Sequence, residues 1–481
     1  MLVFYVDEGR WIKAMEIERK AEGTSAPLKP LYVRQMVGSF GNGVIGPYIT
    51  IYAVQLGASS TEMGWLRSLG NLFGSVMQVP WGAVCDKFRR RVPFIVLGGV
   101  LSSLLWLPMI YVKTAWELIV LVALQAFIGS MVAPAWAALI GDMVPQPRRG
   151  SVTATINAAA SFGSITATLI SGYIMASAGG SLSHMYTIPL MLATICGFGA
   201  SLTMLTLRER KVKELEKPKV QSWINWRPLL KGNLNFRRFC LISVFHSFFM
   251  SVAWPLFPIT IVKVIKADMV QVAYLSVISG GVSLLVRRFV GRLADRAGRK
   301  PLIIVGRAGI ALVPLTYAIA TSVYHLYTVD FVIGILMAAS EIAVFAYLLD
   351  VTPEEQRGAS VAFFNTMNGF STFLGSITGG YLTSMLIYVG FEELTSLQIV
   401  YGISALGRLT GGLLFLKIEE PYKYPSTMKA EILEIISEDV TKAKEELHRI
   451  EERGEAVDRE VQKDFEWFES TLRWRKEKEE K

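Results

Sequence analysis

Charge is scarce in this chain. Only 19% of its 481 residues are Asp, Glu, Lys or Arg, while 52% are apolar. A soluble chain of that length folds as several domains with polar surfaces, and the charge-free stretches 92–112 and 118–141 have no place on one. Cysteine is also sparse: Cys85 falls at the end of an apolar run, and Cys196 and Cys240 lie inside two others, so no disulfide framework is implied. The four histidines are scattered at 184, 246, 325 and 448, which leaves a membrane-surface enzyme without clustered His, Asp and Glu and a metal without a ligand set. No Gly-x-x-x-x-Gly-Lys-Ser/Thr loop is present, which argues against ATP-driven pumping, and no cofactor is called for. There is no period-2 alternation of the kind a membrane barrel needs. A secretory signal is missing too, because residues 2–6 are too short for an apolar core and 7–20 are strongly charged. That opening stretch reads as a short cytoplasmic amphipathic helix, or Met15 is the true start.

What the chain has instead is apolar runs of about twenty residues or more, enough to cross a hydrocarbon core of about 30 Å as helix. Twelve spans are expected at 31–56, 61–84, 92–112, 115–139, 151–176, 185–206, 236–262, 268–290, 301–321, 323–350, 358–388 and 395–417. The net charge of +9 is concentrated in alternate connections. Lys87 and Arg89 to Arg91 follow span 2, Arg148 and Arg149 follow span 4, six cations from Arg208 to Lys219 follow span 6, and Arg287, Arg288, Arg292, Arg296, Arg299 and Lys300 follow span 8. The odd connections carry only Lys113, Lys263 and Lys266. By the positive-inside rule both termini are cytoplasmic, and the basic excess is a topology signal rather than a nucleic-acid footprint.

The second half repeats the first. At an offset of 208, Asp142, Pro145, Arg149, Gly150, Ala154, Asn157, Phe162, Gly172 and Tyr173 meet Asp350, Pro353, Arg357, Gly358, Ala362, Asn365, Phe370, Gly380 and Tyr381. At an offset of 209, Gly82, Asp86, Lys87, Arg90 and Arg91 meet Gly291, Asp295, Arg296, Arg299 and Lys300. The fold class is therefore all-α and polytopic, with twelve transmembrane helices in two pseudo-twofold-related six-helix bundles. Parallel repeats of this kind place a substrate site at their interface near the midplane and supply two bodies that can rock around it. The expected divisions are an N-terminal segment 1–30, a first bundle 31–206, a linker 207–235, a second bundle 236–417 and a charged helical tail 418–481.

The run Gly291-Arg-Leu-Ala-Asp295-Arg-Ala-Gly298-Arg299-Lys300 resembles the loop motif of the major facilitator superfamily, as does Gly82-Ala-Val-Cys-Asp86-Lys-Phe-Arg89-Arg90-Arg91. Arg89 stands where the family usually has glycine, the one departure of that copy from the motif. The Asp142, Pro145, Arg149, Gly150 element and its copy at Asp350 and Arg357 also resemble the family, and the likeness covers about residues 31–417. The Gly-Pro motif that the family's drug–proton antiporters carry in span 5 is absent from residues 151–175. By this resemblance Asp86 approaches the start of span 11 near Gly358, and Asp295 the start of span 5 near Gly150. There each carboxylate faces a helix N-terminus and holds the cytoplasmic side shut.

Ionisable groups inside spans mark functional candidates. Glu341 lies slightly inward of the middle of span 10, in a stretch of small residues, and a carboxylate buried there without a partner suits a proton carrier; a structural hydrogen bond is the alternative. Arg67 in span 2 and Asp330 in span 10 lie at similar depth, either as an outer-gate pair, with Arg67 on an anionic substrate group, or both reaching outer water. Asn42, Asn71, Asn365 and His246 add polar groups on spans expected to face the cavity, although His246 is more often a satisfied interior histidine, and Trp254 supplies an aromatic wall. Arg408 in span 12 has no assigned role. In the tail, Ile436, Val440, Ala443, Leu447 and Ile450 form a short heptad stripe, and Val457, Val461, Phe465, Phe468 and Leu472 a second after Gly454. They read as a solvated helical hairpin folding back on itself or on the loops, dispensable for transport, or as a partner-binding coiled coil.

The expected function is secondary active transport of a small organic solute by alternating access, proton-coupled and directed outward, by a monomer in the cell membrane. The partners are the solute, a coupling proton or ion and the lipid bilayer, with no nucleic acid. A transporter-fold sensor signalling through the tail and a membrane-embedded enzyme are the alternatives.

Overall fold

A computed structural model describes residues 28–88, 90–144, 149–178, 182–207, 233–422, 428–442 and 444–445. The N-terminal segment, most of the linker between the halves and the second tail stripe lie outside the described residues, as do Arg89 and Arg148. All twelve expected spans are helical. Among the described residues, nine helices are long and apolar enough to cross a membrane. Spans 1, 2 and 11 are not, because they are broken or rich in Gly, Ser and Asn, the composition of helices that pack closely rather than face lipid.

The breaks follow local chemistry. Span 1 runs as Lys29–Ile45 and Ile49–Gln55 with Pro47 in the turn between them. Span 7, Leu234–Ala253, breaks before Phe257–Ile259 and finishes in a wide turn, Thr260–Val264. Spans 2 and 8 open with capping boxes, Ser59 with Glu62 and Asp268 with Gln271, which satisfy the exposed N–H groups of each first turn. Span 8 runs from Met269 to Ala297, longer than the apolar pattern suggests, and stops at Gly298, whose φ of +93° suits glycine alone.

Within each half, spans 1 and 5 and their copies 7 and 11 pack through small residues. A Cβ at Gly43 would collide with the Ser164 backbone, and one at Gly379 with the Val252 carbonyl. The repeat extends to hydrogen bonds. Thr168 donates to the Gly43 carbonyl at 2.9 Å, and at the equivalent place in the second half Ser251 meets Ser376 at 2.6 Å.

The core shows how the halves meet. One cluster joins both bundles at the end away from the basic loops, drawing Ile45, Tyr48 and Met63 together with Val252, Leu256 and Ala273. Toward the basic loops there are two separate clusters, one within each half. The halves are thus fused at one end and apart at the other.

The first tail segment docks on the second half by one face and leaves the other to solvent. Residues 428–442 are helical, and Met428, Ile432 and the fully buried Ile435 pack onto the second-half core near Phe236 and Tyr347. Arg296 pairs with Glu438 at 2.9 Å, and Arg292 pairs with Asp439. The expected stripe lies elsewhere on this helix, with Ile436 48% and Val440 49% exposed. The reason is that the basic end of span 8 offers the tail a charged partner, which fixes a different face of the helix inward.

Candidate functional site: a cavity between the halves

The fused end is sealed by direct contact of span 2 with span 11 and of span 5 with span 8. Thr61 donates to Ser384 at 2.8 Å, Trp65 to Tyr381 at 3.3 Å and Ser68 to the Phe373 carbonyl at 2.8 Å. On the other seam the hydroxyls of Tyr173 and Tyr274 lie 2.8 Å apart. Gly64 and Gly380 face one another so closely that a Cβ on Gly64 would sit 2.9 Å from the Ser376 carbonyl.

Beneath this seal lies a cavity of about 640 Å³ whose walls come from both halves. That is ample for a small organic molecule, since ligand sites span about 300–1,000 Å³. Arg67 on span 2, Trp254 on span 7, Asp330 and Glu341 on span 10, Arg287 on span 8 and Arg408 on span 12 all line it. Four of the sequence candidates are therefore brought together. The Arg67 guanidinium sits over the Trp254 ring, 5.5 Å from its centroid, a cation–π contact that links the halves. Asp330 is buried, with 9% of its surface accessible, and Arg67 lies over Trp254 rather than against Asp330, so the outer-gate alternative is not formed in this state.

Glu341 requires a correction. It is half exposed to the open cavity and pairs with Arg287 at 2.6 Å, so it is neither buried nor unpartnered. Arg287 counts as a loop cation in the sequence because the apolar run ends near it; the helix continues well beyond and places it in the wall. Arg408, which has no role legible in the sequence, is 1% exposed. Its guanidinium donates to the carbonyls of Met250 at 2.7 Å and Ile310 at 3.3 Å, lies 5.8 Å from the Phe257 ring, and leaves Nε without an acceptor.

The remaining polar candidates lie outside the lining. His246 is buried against span 9, with Nε2 2.9 Å from the Arg307 carbonyl and Nδ1 3.2 Å from the Arg307 guanidinium. Asn71 is partly buried and Asn42 and Asn365 are exposed, and none of the three is among the residues that line the cavity. One polar group that does bind the helices is Asn368, which accepts from Ser247 at 2.7 Å.

At the basic end the loop motifs form two matching knots. Arg299 pairs with Asp295 at 3.0 Å and Asp350 at 3.2 Å. In the first half the corresponding cation is Arg91, which pairs with Asp86 at 2.7 Å and Asp142 at 3.5 Å, while the aligned Arg90 is exposed. The shift by one residue falls where Arg89 replaces the glycine that, as Gly298, turns the second copy. Arg149 and Arg357 each reach back to the preceding span, Arg149 to the carbonyls of Gly141 and Val144 and Arg357 to that of Leu349. Gly82 and Gly291 sit on the helices leading into the knots. Asp86 and Asp295 are 64% and 74% exposed and bond within their own halves. Among the described residues the expected contacts with spans 11 and 5 are not made, and Gly358 has open space around it. This follows from the separation of the halves at that end.

Two repeated bundles closed over a shared polar cavity are the arrangement of a rocker-type membrane transporter. The family profile of the Major Facilitator Superfamily matches residues 31–243 and again 239–449. The chain belongs to that superfamily. It is 24% identical over 404 residues to the multi-drug resistance efflux pump PmrA of Streptococcus pneumoniae, covering 79% of this chain and 96% of that one. An MFS-type transporter of Methanocaldococcus jannaschii is 22% identical over 391 residues, covering 79% and 97%. Among solved structures, the nucleoside transporter NupG superposes with a TM-score of 0.66 at 15% identity, covering 81% of this chain and 98% of that one. A D-xylose-proton symporter gives 0.64 at 16%, covering 82% and 98%.

Proposed function

We propose that this chain is a secondary transporter that exports a small organic solute in exchange for protons, with the basic loops on the cytoplasmic side. In that orientation the structure is the state open to the cytoplasm, and the loop-motif aspartates would cross to the opposite half in the other state. The observation that carries the proton assignment is the pair of carboxylates in one cavity. Glu341 is paired with Arg287 at 2.6 Å, whereas Asp330 is buried in the wall with no ion pair among the described residues. Asp330 is thus the group free to gain and lose a proton as the halves rock, replacing Glu341 in that role. Export is the direction that the pneumococcal relative's name carries.

The test is transport by purified protein in proteoliposomes. Asp330→Asn should abolish accumulation driven by a pH gradient while solute exchange at equal pH survives. Glu341→Gln should leave pH-driven accumulation intact. The reverse pattern would return the proton to Glu341, and flux independent of either carboxylate would remove proton coupling through this cavity.

A further inference from the structure

The cavity walls hold three arginines and two carboxylates. One arginine, Arg287, is neutralised by Glu341. Arg67 and Arg408 have no carboxylate partner among the described residues: Arg67 rests on Trp254, and Arg408 is held by two carbonyls beside Phe257. A guanidinium taken out of water without a counter-charge is expensive. Arg408 is all but sealed from solvent, and one of its N–H groups finds no acceptor. Asp330 is the remaining negative group in the lining, and once it carries a proton both cations are left uncompensated. The cavity is therefore biased positive: with Asp330 protonated, no carboxylate among the described residues lining it pairs with Arg67 or Arg408.

From this geometry we infer that the solute is an amphipathic organic anion, a carboxylate, sulfonate or phosphate ester on an aromatic or apolar body. Its anionic group meets the accessible face of Arg67, with the charge of Arg408 adding attraction from the wall. Its apolar body lies against Trp254, Phe257, Ile333 and Met337. A charge-assisted bond from a planar guanidinium favours such a group by geometry as well as by charge. The inference rests on the transporter reading for the cavity's use but makes a separate claim about charge. It also gives Glu341 a function, since by occupying Arg287 it limits the cavity to two free cations.

Binding to the full chain in nanodiscs can be read by thermal shift and calorimetry with three matched probes: naphthalene acetate, its neutral amide and naphthyl-ethylammonium. The acetate should bind about tenfold or more tighter than the other two, the difference expected from one charge-assisted contact. Arg67→Gln should remove that preference and Arg67→Lys should restore part of it. Glu341→Gln, which frees Arg287, should tighten the acetate and weaken the ammonium. This gain does not depend on any loss-of-function variant. Preference for the ammonium, equal binding of all three, or binding of none by a folded protein would overturn the anion class. The two readings fail separately. Acetate binding that depends on Arg67 without any flux in proteoliposomes leaves the charge claim and ends the transport claim. Proton-driven flux of the ammonium probe does the reverse.

Discussion

Replacing Gly380 by alanine should tip the protein toward its other state. The added Cβ would lie 2.5 Å from the Ser60 carbonyl and 3.0 Å from the Gly64 Cα, and both obstacles are backbone of the opposite half, so no side chain can swing aside. Overpacking of this kind costs about 1–3 kcal/mol. The penalty falls only on the state in which spans 2 and 11 touch, which makes it a bias between states. A bias of that size changes the ratio of the two states by about 5–150-fold. Helix propensity acts in the opposite direction, since alanine is preferred over glycine by about 1 kcal/mol, so the fold itself should survive. Spin labels at Tyr111 and Tyr388, 79% and 92% exposed on opposite halves of the sealed end, report its opening. Labels at Phe88 and Glu354 report the basic end. Gly380→Ala should lengthen the first distance and shorten the second. Gly70→Ala is the control, because it sits on the same span-2 helix with open space around it. Unchanged distances in a folded Gly380→Ala protein, or equal changes in the control, would refute the reasoning.

Other outcomes follow from the tail and the knots. Ile435→Ala should cost about 2–5 kcal/mol of docking and make the tail helix the first site of proteolysis, so a chain ending near Pro425 should insert but lose thermal stability in its second half. The carboxyls of Glu438 and Asp439 are pulled below their ordinary values of 4.5 and 3.8 by hydrogen bonds to Arg296 and Arg292. Their contribution is therefore full above pH 4.5 and is lost as pH falls through the lowered values, below 3.8 for Asp439, and protease protection of the tail should track that window. Arg91→Ala should loosen the first loop knot more than Arg90→Ala does, read as faster labelling of the buried Cys85, whose thiol lies 3.4 Å from the Arg91 guanidinium.

The fold is readable in the sequence because the bilayer imposes its own period. A helix that must bury every backbone group needs about twenty apolar residues, and the 208-residue offset doubles each signal. Arg67, Asp330, Glu341 and Trp254 are legible as site residues for the same reason, since charge and indole stand out against lipid. Their partners are not legible. That Arg287 neutralises Glu341 depends on the register of span 8 against span 10, and the apolar run stops short of where the helix does. Arg408 has no role readable in the sequence, because nothing there shows which neighbours span 12 meets, yet its side chain reaches the cavity wall. His246 and the asparagines fall outside the lining because one sequence gives the depth of a residue in a helix but not which neighbour its face meets. The tail stripe fails similarly. Heptad spacing marks one apolar face, and the arginines of span 8 select another.

The central claim is that one cavity opens to the two sides in turn. Thr61→Cys with Ser384→Cys, whose hydroxyls lie 2.8 Å apart, can lock the sealed end by a disulfide. Ser283→Cys then places a reactive probe in the cavity wall, once Cys85, Cys196 and Cys240 are replaced. In vesicles of known orientation, an impermeant thiol reagent should label Ser283→Cys from both faces when the lock is reduced. When the lock is oxidised it should label from the basic face alone, and solute flux should stop. Labelling from the sealed face with the lock intact, or flux that continues through it, would contradict alternating access.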